Sequence, residues 1–201
     1  MTKANPTTNP QQTFLTSAVV RVGRGGRGFI VGTKGLARYV VTAAHCLPRS
    51  RYPRPNLANG SKQLAFSQII GPLGSKPTIW AELQVLNLID DLAVFGELDD
   101  EVFSEEYAKL TDTAMKAGVP PHQVEMPGWV LSLDCRWVPC TVQSGDRLLH
   151  ISKAKIENGM SGSPILNAAG AAIGLISTGS TNPSLADCLP PWIWRRVKPR
   201  H

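Results

Sequence analysis

The 201-residue chain has no apolar run near the ~18 residues needed to span a bilayer, and no self-similarity at a fixed period. A membrane-spanning helix and a solenoid are therefore outside the reading. Its four cysteines, Cys46, Cys135, Cys140 and Cys188, are too few for a disulfide-stapled scaffold. Cys135 and Cys140 could bridge a hairpin or bind zinc, but no second Cys/His pair accompanies them. Free, mostly buried thiols are the expectation. The first twelve residues are polar and lack the apolar stretch of a secretory signal. That favours a cytoplasmic protein, although a chain whose signal had been removed would read the same. Gly and Pro, 18 and 16 residues, stay below the level of a low-complexity chain, and 42% hydrophobic residues suffice for a real core.

Acidic residues are also missing from a long stretch. Residues 1–81 hold 11 Lys/Arg and no Asp or Glu, whereas residues 82–112 hold 10 acidic residues and one base, Lys109. The basic segment could attract an acidic partner or nucleic acid through Arg21, Arg24, Arg27, Arg49, Arg51 and Arg54, with Tyr52 available to stack. Surface charge for solubility is the plainer account, and nucleic acid is not the favoured partner. The acidic run from Glu97 to Glu106 reads as a solvated connector.

What is present is a series of short β-rich runs between Gly/Pro turns, at 18–22, 29–32, 39–42, 79–88 and 92–95, then 129–133, 137–142, 148–152, 164–166 and 172–177. Ten short strands with little helix argue for barrels or a sandwich. Residues 99–118 look helical or irregular, and Val119-Pro120-Pro121 marks the division of the chain. Gly23-Arg24-Gly25-Gly26-Arg27-Gly28 satisfies the dinucleotide-binding pattern G-x-G-x-x-G. That reading needs a helix after the last glycine; Phe29-Ile30-Val31-Gly32 is strand-like, so a turn between antiparallel strands fits better.

Three segments carry chemistry. Val40-Val41-Thr42-Ala43-Ala44-His45-Cys46 ends an apolar strand in small residues and presents an imidazole. Asp90-Asp91-Leu92-Ala93-Val94 sets a carboxylate before an apolar strand. Asn158-Gly159-Met160-Ser161-Gly162-Ser163-Pro164 flanks a serine with glycines, which permit a sharp turn and an exposed hydroxyl. These are the parts of an acyl-transfer site. A serine is a poor nucleophile until an imidazole takes its proton, and the imidazole needs a carboxylate to fix its tautomer. The oxyanion needs backbone donors, which Gly159 and Ser161 can supply. The chain order His, Asp, Ser excludes the α/β-hydrolase and subtilisin orders.

These motifs resemble those of the chymotrypsin/trypsin-like serine peptidases. Val41 to Cys46 matches the histidine motif and Asp91-Leu92-Ala93-Val94 the aspartate motif. Gly159 to Pro164 is similar to the serine motif in its bacterial form. Gly174-Leu175-Ile176-Ser177-Thr178-Gly179 resembles the strand that binds substrate backbone. The resemblance implies an all-β fold of two six-stranded antiparallel Greek-key barrels with the site between them and a short C-terminal helix. The implied organisation is a polar tail over 1–13, a first barrel over 14–100, a connector over 101–121, a second barrel over 122–182 and a tail over 183–201. It implies a serine endopeptidase acting on proteins or peptides, with catalytic His45, Asp91 and Ser161, an oxyanion hole from Gly159 and Ser161, and substrate contacts from Lys155, Asn158, Ser177, Thr178 and Gly179. No metal, cofactor or membrane enters that chemistry. Asp90 competes with Asp91, but the family register favours the residue directly before Leu-Ala-Val.

The chain departs from that pattern in several places. Met160 stands where zymogen-activated members carry an Asp that pairs with a newly cut N-terminus, so an oxyanion hole formed without cleavage is expected. Lys155 stands where the trypsin subgroup keeps an acidic pocket floor, which argues against Lys/Arg specificity; the ammonium would either point inward or snorkel out. Cys46 lacks the disulfide partner expected about 16 residues upstream. The short tail leaves the last strand of the second barrel missing or replaced by a loop, with Trp192 and Trp194 anchoring a docking helix. A second reading keeps the fold but makes the protein a catalytically weak peptide-binding or scaffold module.

Overall fold

The computed structural model describes residues 10–33, 37–48, 64–178 and 181–198. Six strands form a closed antiparallel barrel: β1 (Val19–Val22), β2 (Gly26–Val31), β3 (Tyr39–Ala43), β4 (Ala65–Pro72), β5 (Ile79–Asn87) and β6 (Leu92–Gly96), in the order β1-β2-β3-β6-β5-β4. Their apolar faces enclose Val20, Ile30, Val40, Ile70, Ala93 and Phe95, with Phe66 set edge-on to Phe95 at 5.7 Å. The Gly/Arg segment at 23–28 is the turn between β1 and β2 followed by β2 itself, so no helix is present to cradle a pyrophosphate.

The second half repeats this strand order. The strands β7 (Glu125–Leu131), β8 (Trp137–Ser144), β9 (Leu148–Ser152), β10 (Pro164–Asn167), β11 (Ala172–Leu175) and β12 (Thr181–Pro183) form a sheet ordered β11-β10-β7-β8-β9-β12. Its two edges meet at a single bridge between Gly174 and Ser184, so this barrel is nearly closed. The expectation of a missing last strand is corrected here: β12 exists but is three residues long. Its Asn182, fully buried, accepts from the Ser177 N–H at 2.9 Å and donates to the Leu149 carbonyl at 3.3 Å. A side chain thus does work that a longer ladder does in the first barrel.

Four α-helices occur among the described residues. Helix α1 (Pro10–Ser17) crosses the expected tail boundary, and its Thr16 hydroxyl accepts from the Trp137 indole at 3.0 Å. Helix α2 (Glu101–Leu110) is capped by Asp100, whose carboxylate accepts from the Val102 and Phe103 N–H groups. The connector after it bonds to both barrels, Met115 N–H to Ile30 at 2.8 Å and Gly118 N–H to Ala172 at 2.7 Å. The short α3 (Leu185–Cys188) leads to α4 (Pro191–Val197). The anchors of α4 are Ile193 and Val197, both fully buried, and not the tryptophans. Trp194 is only partly buried, while Trp192 stays exposed and packs edge-on to Tyr39 with Arg196 over its ring. Among the described residues no helix is long and apolar enough to cross a membrane.

Arg27 ties the barrels together. It is 4% exposed, and its guanidinium donates to the Leu131, Ser132 and Leu133 carbonyls at 3.0, 2.9 and 3.1 Å across the interface. Burial pushes its pKa below the ordinary value, and three carbonyls offset the cost of keeping the charge inside. The second cross-barrel charge contact pairs Arg147 with Asp90, whose side chain is 8% exposed.

The cysteines are free thiols. Burial pushes the Cys46, Cys140 and Cys188 thiols up to about 11, while Cys135 lies exposed on the β7–β8 hairpin. Cys46 faces Gly26, where an added Cβ would sit 2.5 Å from the Cys46 Cβ. That separation is well below the ~3.5–4.5 Å of a disulfide, so the thiol fills a space that no bridge could occupy unshifted.

Two outcomes follow from this packing. Arg27→Met should lower unfolding stability by about 2–4 kcal/mol, because three carbonyls at the interface lose their donor; denaturant titration measures it. Iodoacetamide at pH 8 should modify Cys135 alone in the native protein. The other three thiols should become reactive as the pH rises toward 11 or when the chain unfolds, as peptide mass spectrometry would read.

Candidate active site

The ladder between β3 and β6 sets the first half of the site. Ala43 is paired with Leu92, so the residues just past β3 and just before β6 emerge side by side. The chain leaving β3 tightens into a 3-10 turn, Ala44–Cys46, which presents His45. Asp91 enters β6 from the left-handed region, φ 51°, a conformation that Asp tolerates better than most residues. Its carbonyl accepts from the Ala44 N–H at 3.0 Å, fixing the two turns against each other.

The Asp91 carboxylate collects three donors. Oδ1 accepts from the His45 backbone N–H at 2.9 Å, and Oδ2 lies 2.7 Å from His45 Nδ1. Oδ2 also accepts from the Ser177 hydroxyl, which reaches over from the second barrel. A carboxylate so bonded holds Nδ1 as the protonated nitrogen and leaves Nε2 free to accept a proton. Asp90 points elsewhere, to Asn87 at 2.5 Å and to Arg147. The structure therefore brings Asp91 and not Asp90 to the imidazole.

The second half of the site is the turn from Asn158 to Ser163. Gly159 has φ 96° and Gly162 φ 82°, both in the region that only glycine enters without strain. An added Cβ at Gly162 would lie 1.8 Å from the Arg27 carbonyl oxygen, so this glycine is required on two counts. The Ser161 carbonyl accepts from the Arg27 N–H at 2.8 Å and from the Cys46 thiol at 3.6 Å. Arg27 thus holds the serine turn with its backbone and the neighbouring hairpin with its side chain. Met160 is buried in the second barrel's core, and its sulfur accepts from the Glu157 N–H at 3.3 Å. Apolar packing, together with this bond, holds the turn at residue 160.

His45, Gly159 and Ser161 line one cavity of about 370 Å³. The Ser161 hydroxyl donates to the Ser177 carbonyl at 3.4 Å, and among the described residues no hydrogen bond joins it to His45. The Gly159 and Ser161 N–H groups are not engaged within the protein among the described residues, so both remain available to an oxyanion.

The remaining expected site residues fall in different places. Thr178 is exposed beside Ser177 and bridges to Thr181, and Asn158 is exposed at the start of the serine turn. Gly179 lies outside the described residues, as do Arg49, Arg51, Tyr52 and Arg54 of the basic segment. Lys155 does not point into a pocket: its side chain is 82% exposed and its ammonium pairs with Glu157 at 2.6 Å. An ammonium six residues before the serine finds solvent and a local carboxylate more cheaply than a buried site. Sequence reasoning missed the hydroxyl of Ser177 as a partner of Asp91, since its motif marked only a backbone role. It also missed the side chain of Arg27, which it counted with the surface cations. Among the described residues no group of three His, Cys, Asp or Glu could hold a metal ion.

No family model matches the chain, and no curated protein matches it by sequence. Solved structures do. The Rv3671c protease in its inactive form superposes with a TM-score of 0.54 at 13% identity, over 98% of this chain and 99% of that one. The active form of the same protease, from M. tuberculosis, gives 0.55 at 13% identity, over 98% and 88%. Its Ser343Ala mutant gives 0.56 at 14% identity, over 93% and 92%. With the two barrels, their shared strand order and the cleft between them, these matches show that the chain has the chymotrypsin-like fold of the trypsin-type serine proteases.

Proposed function

We propose that the protein is a serine endopeptidase with Ser161 as nucleophile, His45 as general base and acid, and Asp91 as the carboxylate that orients His45. The observation that carries this is the Asp91 carboxylate, bonded to His45 from its own barrel and to Ser177 from the other, beside a cavity that Ser161 shares with His45. Four residues distant in sequence converge on one polar network, which an incidental turn serine would not explain.

In the reaction, His45 Nε2 takes the proton from Ser161 Oγ as the oxygen attacks the scissile carbonyl. The resulting oxyanion is met by the Gly159 and Ser161 N–H groups. His45 then passes the proton to the leaving amine, the C–N bond breaks, and an acyl-enzyme remains. Water then attacks the acyl carbonyl as His45 takes its proton, the C–O bond to Ser161 breaks, and His45 returns the proton to Ser161 Oγ as the carboxylic acid product leaves. The buried Met160 supports a site assembled without N-terminal cleavage. The exposed, paired Lys155 supports a pocket with no fixed charge for a Lys or Arg side chain. The chemistry calls for no metal or cofactor, and the substrates are proteins or peptides.

The competing reading is a peptide-binding module with weak turnover. It draws on the Ser161 hydroxyl being turned to the Ser177 carbonyl instead of to His45. That bond is long at 3.4 Å, and rotation of the part-buried hydroxyl about its side-chain bond releases it at a small barrier, so the endopeptidase reading is preferred.

Labelling of the intact protein with a fluorophosphonate should give a stoichiometric adduct on Ser161, absent in Ser161→Ala and slowed about a thousandfold or more in His45→Ala. A well-folded sample that takes no label contradicts the proposal. Gly162→Ala should abolish labelling too, with a lowered melting temperature, because the serine turn must move away from Arg27.

A further inference from the structure

The cavity holding His45 and Ser161 does not include Ser177 or Thr178 in its lining; it opens instead toward Arg24, Gly25 and Pro48. The Ser177–Thr178 edge resembles the strand that binds substrate backbone beside the specificity pocket; on that reading this cavity, which lies apart from it, takes the leaving-group side. It continues into a larger hollow of about 870 Å³ that shares Arg24 and Pro48 with it and adds Arg21, Gln68 and Lys76. Three cations therefore follow one another outward from the nucleophile. Among the described residues none of the three pairs with a carboxylate, whereas Arg38, Arg136, Arg147, Lys153 and Lys155 all do. No acidic residue exists before Glu82 to supply a partner. Arg21 spends one of its five N–H donors on the Arg24 carbonyl at 3.2 Å, which braces the turn carrying Arg24.

Resting on the endopeptidase reading, we propose that this basic groove is a specificity site for the leaving-group side of the substrate, and that it selects peptides with Asp or Glu in the residues just after the scissile bond. A like-signed row in a low cleft attracts carboxylates and repels Lys and Arg. A nucleic acid fits the groove less well. The most buried cation of the basic segment, Arg27, is committed to three carbonyls, and the groove runs into a peptide-sized cavity at the nucleophile. The described groove residues also include no aromatic side chain on which bases could stack.

Internally quenched peptides that share one acyl side and carry Asp, Ala or Lys after the scissile bond test the proposal on the full chain. Asp peptides should exceed Lys peptides by about tenfold or more in kcat/KM, and the ratio should shrink toward one at about 0.5 M salt. Arg24→Glu combined with Lys76→Glu should reverse the order, while Lys116→Glu, a charge reversal outside the groove, should leave it unchanged. Equal rates for the three peptides, or a preference that survives the double reversal, overturn the proposal.

Ser161→Ala separates this result from the peptidase reading. Fluorescence anisotropy should show it binding a labelled acidic peptide that corresponds to the leaving segment, with the affinity lost in the Arg24→Glu, Lys76→Glu background. Binding there without fluorophosphonate labelling of the parent protein would sink the peptidase reading and keep the groove. Labelling without such binding would sink the groove alone. Tighter binding of a single-stranded oligonucleotide than of the acidic peptide assigns the groove to nucleic acid and overturns the inference.

Discussion

The contact between Arg27 and the serine turn is the constraint on which the site depends. The Arg27 N–H holds the Ser161 carbonyl, and the Arg27 carbonyl accepts from the Thr42 hydroxyl at 2.6 Å. Gly162 must lack a side chain for the two backbones to come that close. The same residue sends its guanidinium into the β7–β8 hairpin, whose Leu133 packs at Gly159. One residue of the first barrel thus braces the turn that carries Ser161 in the second. The histidine is placed independently, by the β3–β6 register. Both placements rest on backbone contacts, and the one long side chain that assists, Arg27, is held by three carbonyls so that little of its freedom remains to blur them.

Much of the site was legible in the sequence, because its motifs are local. Small residues before His45, glycines around Ser161 and a carboxylate leading an apolar strand are each dictated within a few positions. What the motifs could not give is partner identity across long separations. Ser177 was marked for its backbone, yet its hydroxyl meets Asp91, 86 residues away. Arg27 looked like one more surface cation in a Gly/Arg stretch, and only burial against the other barrel reveals its role.

The two strands that escaped the pattern have specific reasons. In β4 the register shifts between Phe66 and Ile70 and Gln68 takes φ 50°, which breaks the alternation of inward and outward residues. In β12, Thr181-Asn182-Pro183 has no apolar signature at all, and its middle residue is buried by hydrogen bonding. The two halves share a strand order without any visible repeat in sequence, since the order is set by packing and connection lengths that many side-chain choices satisfy. Lys155, which the motif left open between pointing inward and snorkelling out, lies outward. Its position in the motif is that of a pocket floor, but a flexible ammonium follows solvation rather than alignment.

The seam of the second barrel has a consequence for how the site can be tuned. Asn182 links Leu149 on β9 to the Ser177 N–H, and the Ser177 hydroxyl continues to Asp91 and so to His45. A barrel closed by a main-chain ladder spreads the load over many equivalent bonds and tolerates drift at any one of them. Here one amide adds to the short β9–β12 ladder and the Gly174–Ser184 bridge, and the same amide leads on to the candidate site. A residue without an amide at 182 would leave the Ser177 N–H and the Leu149 carbonyl without these bonds. Barrel packing and the geometry around His45 meet at this position, so a change there would be felt in both at once.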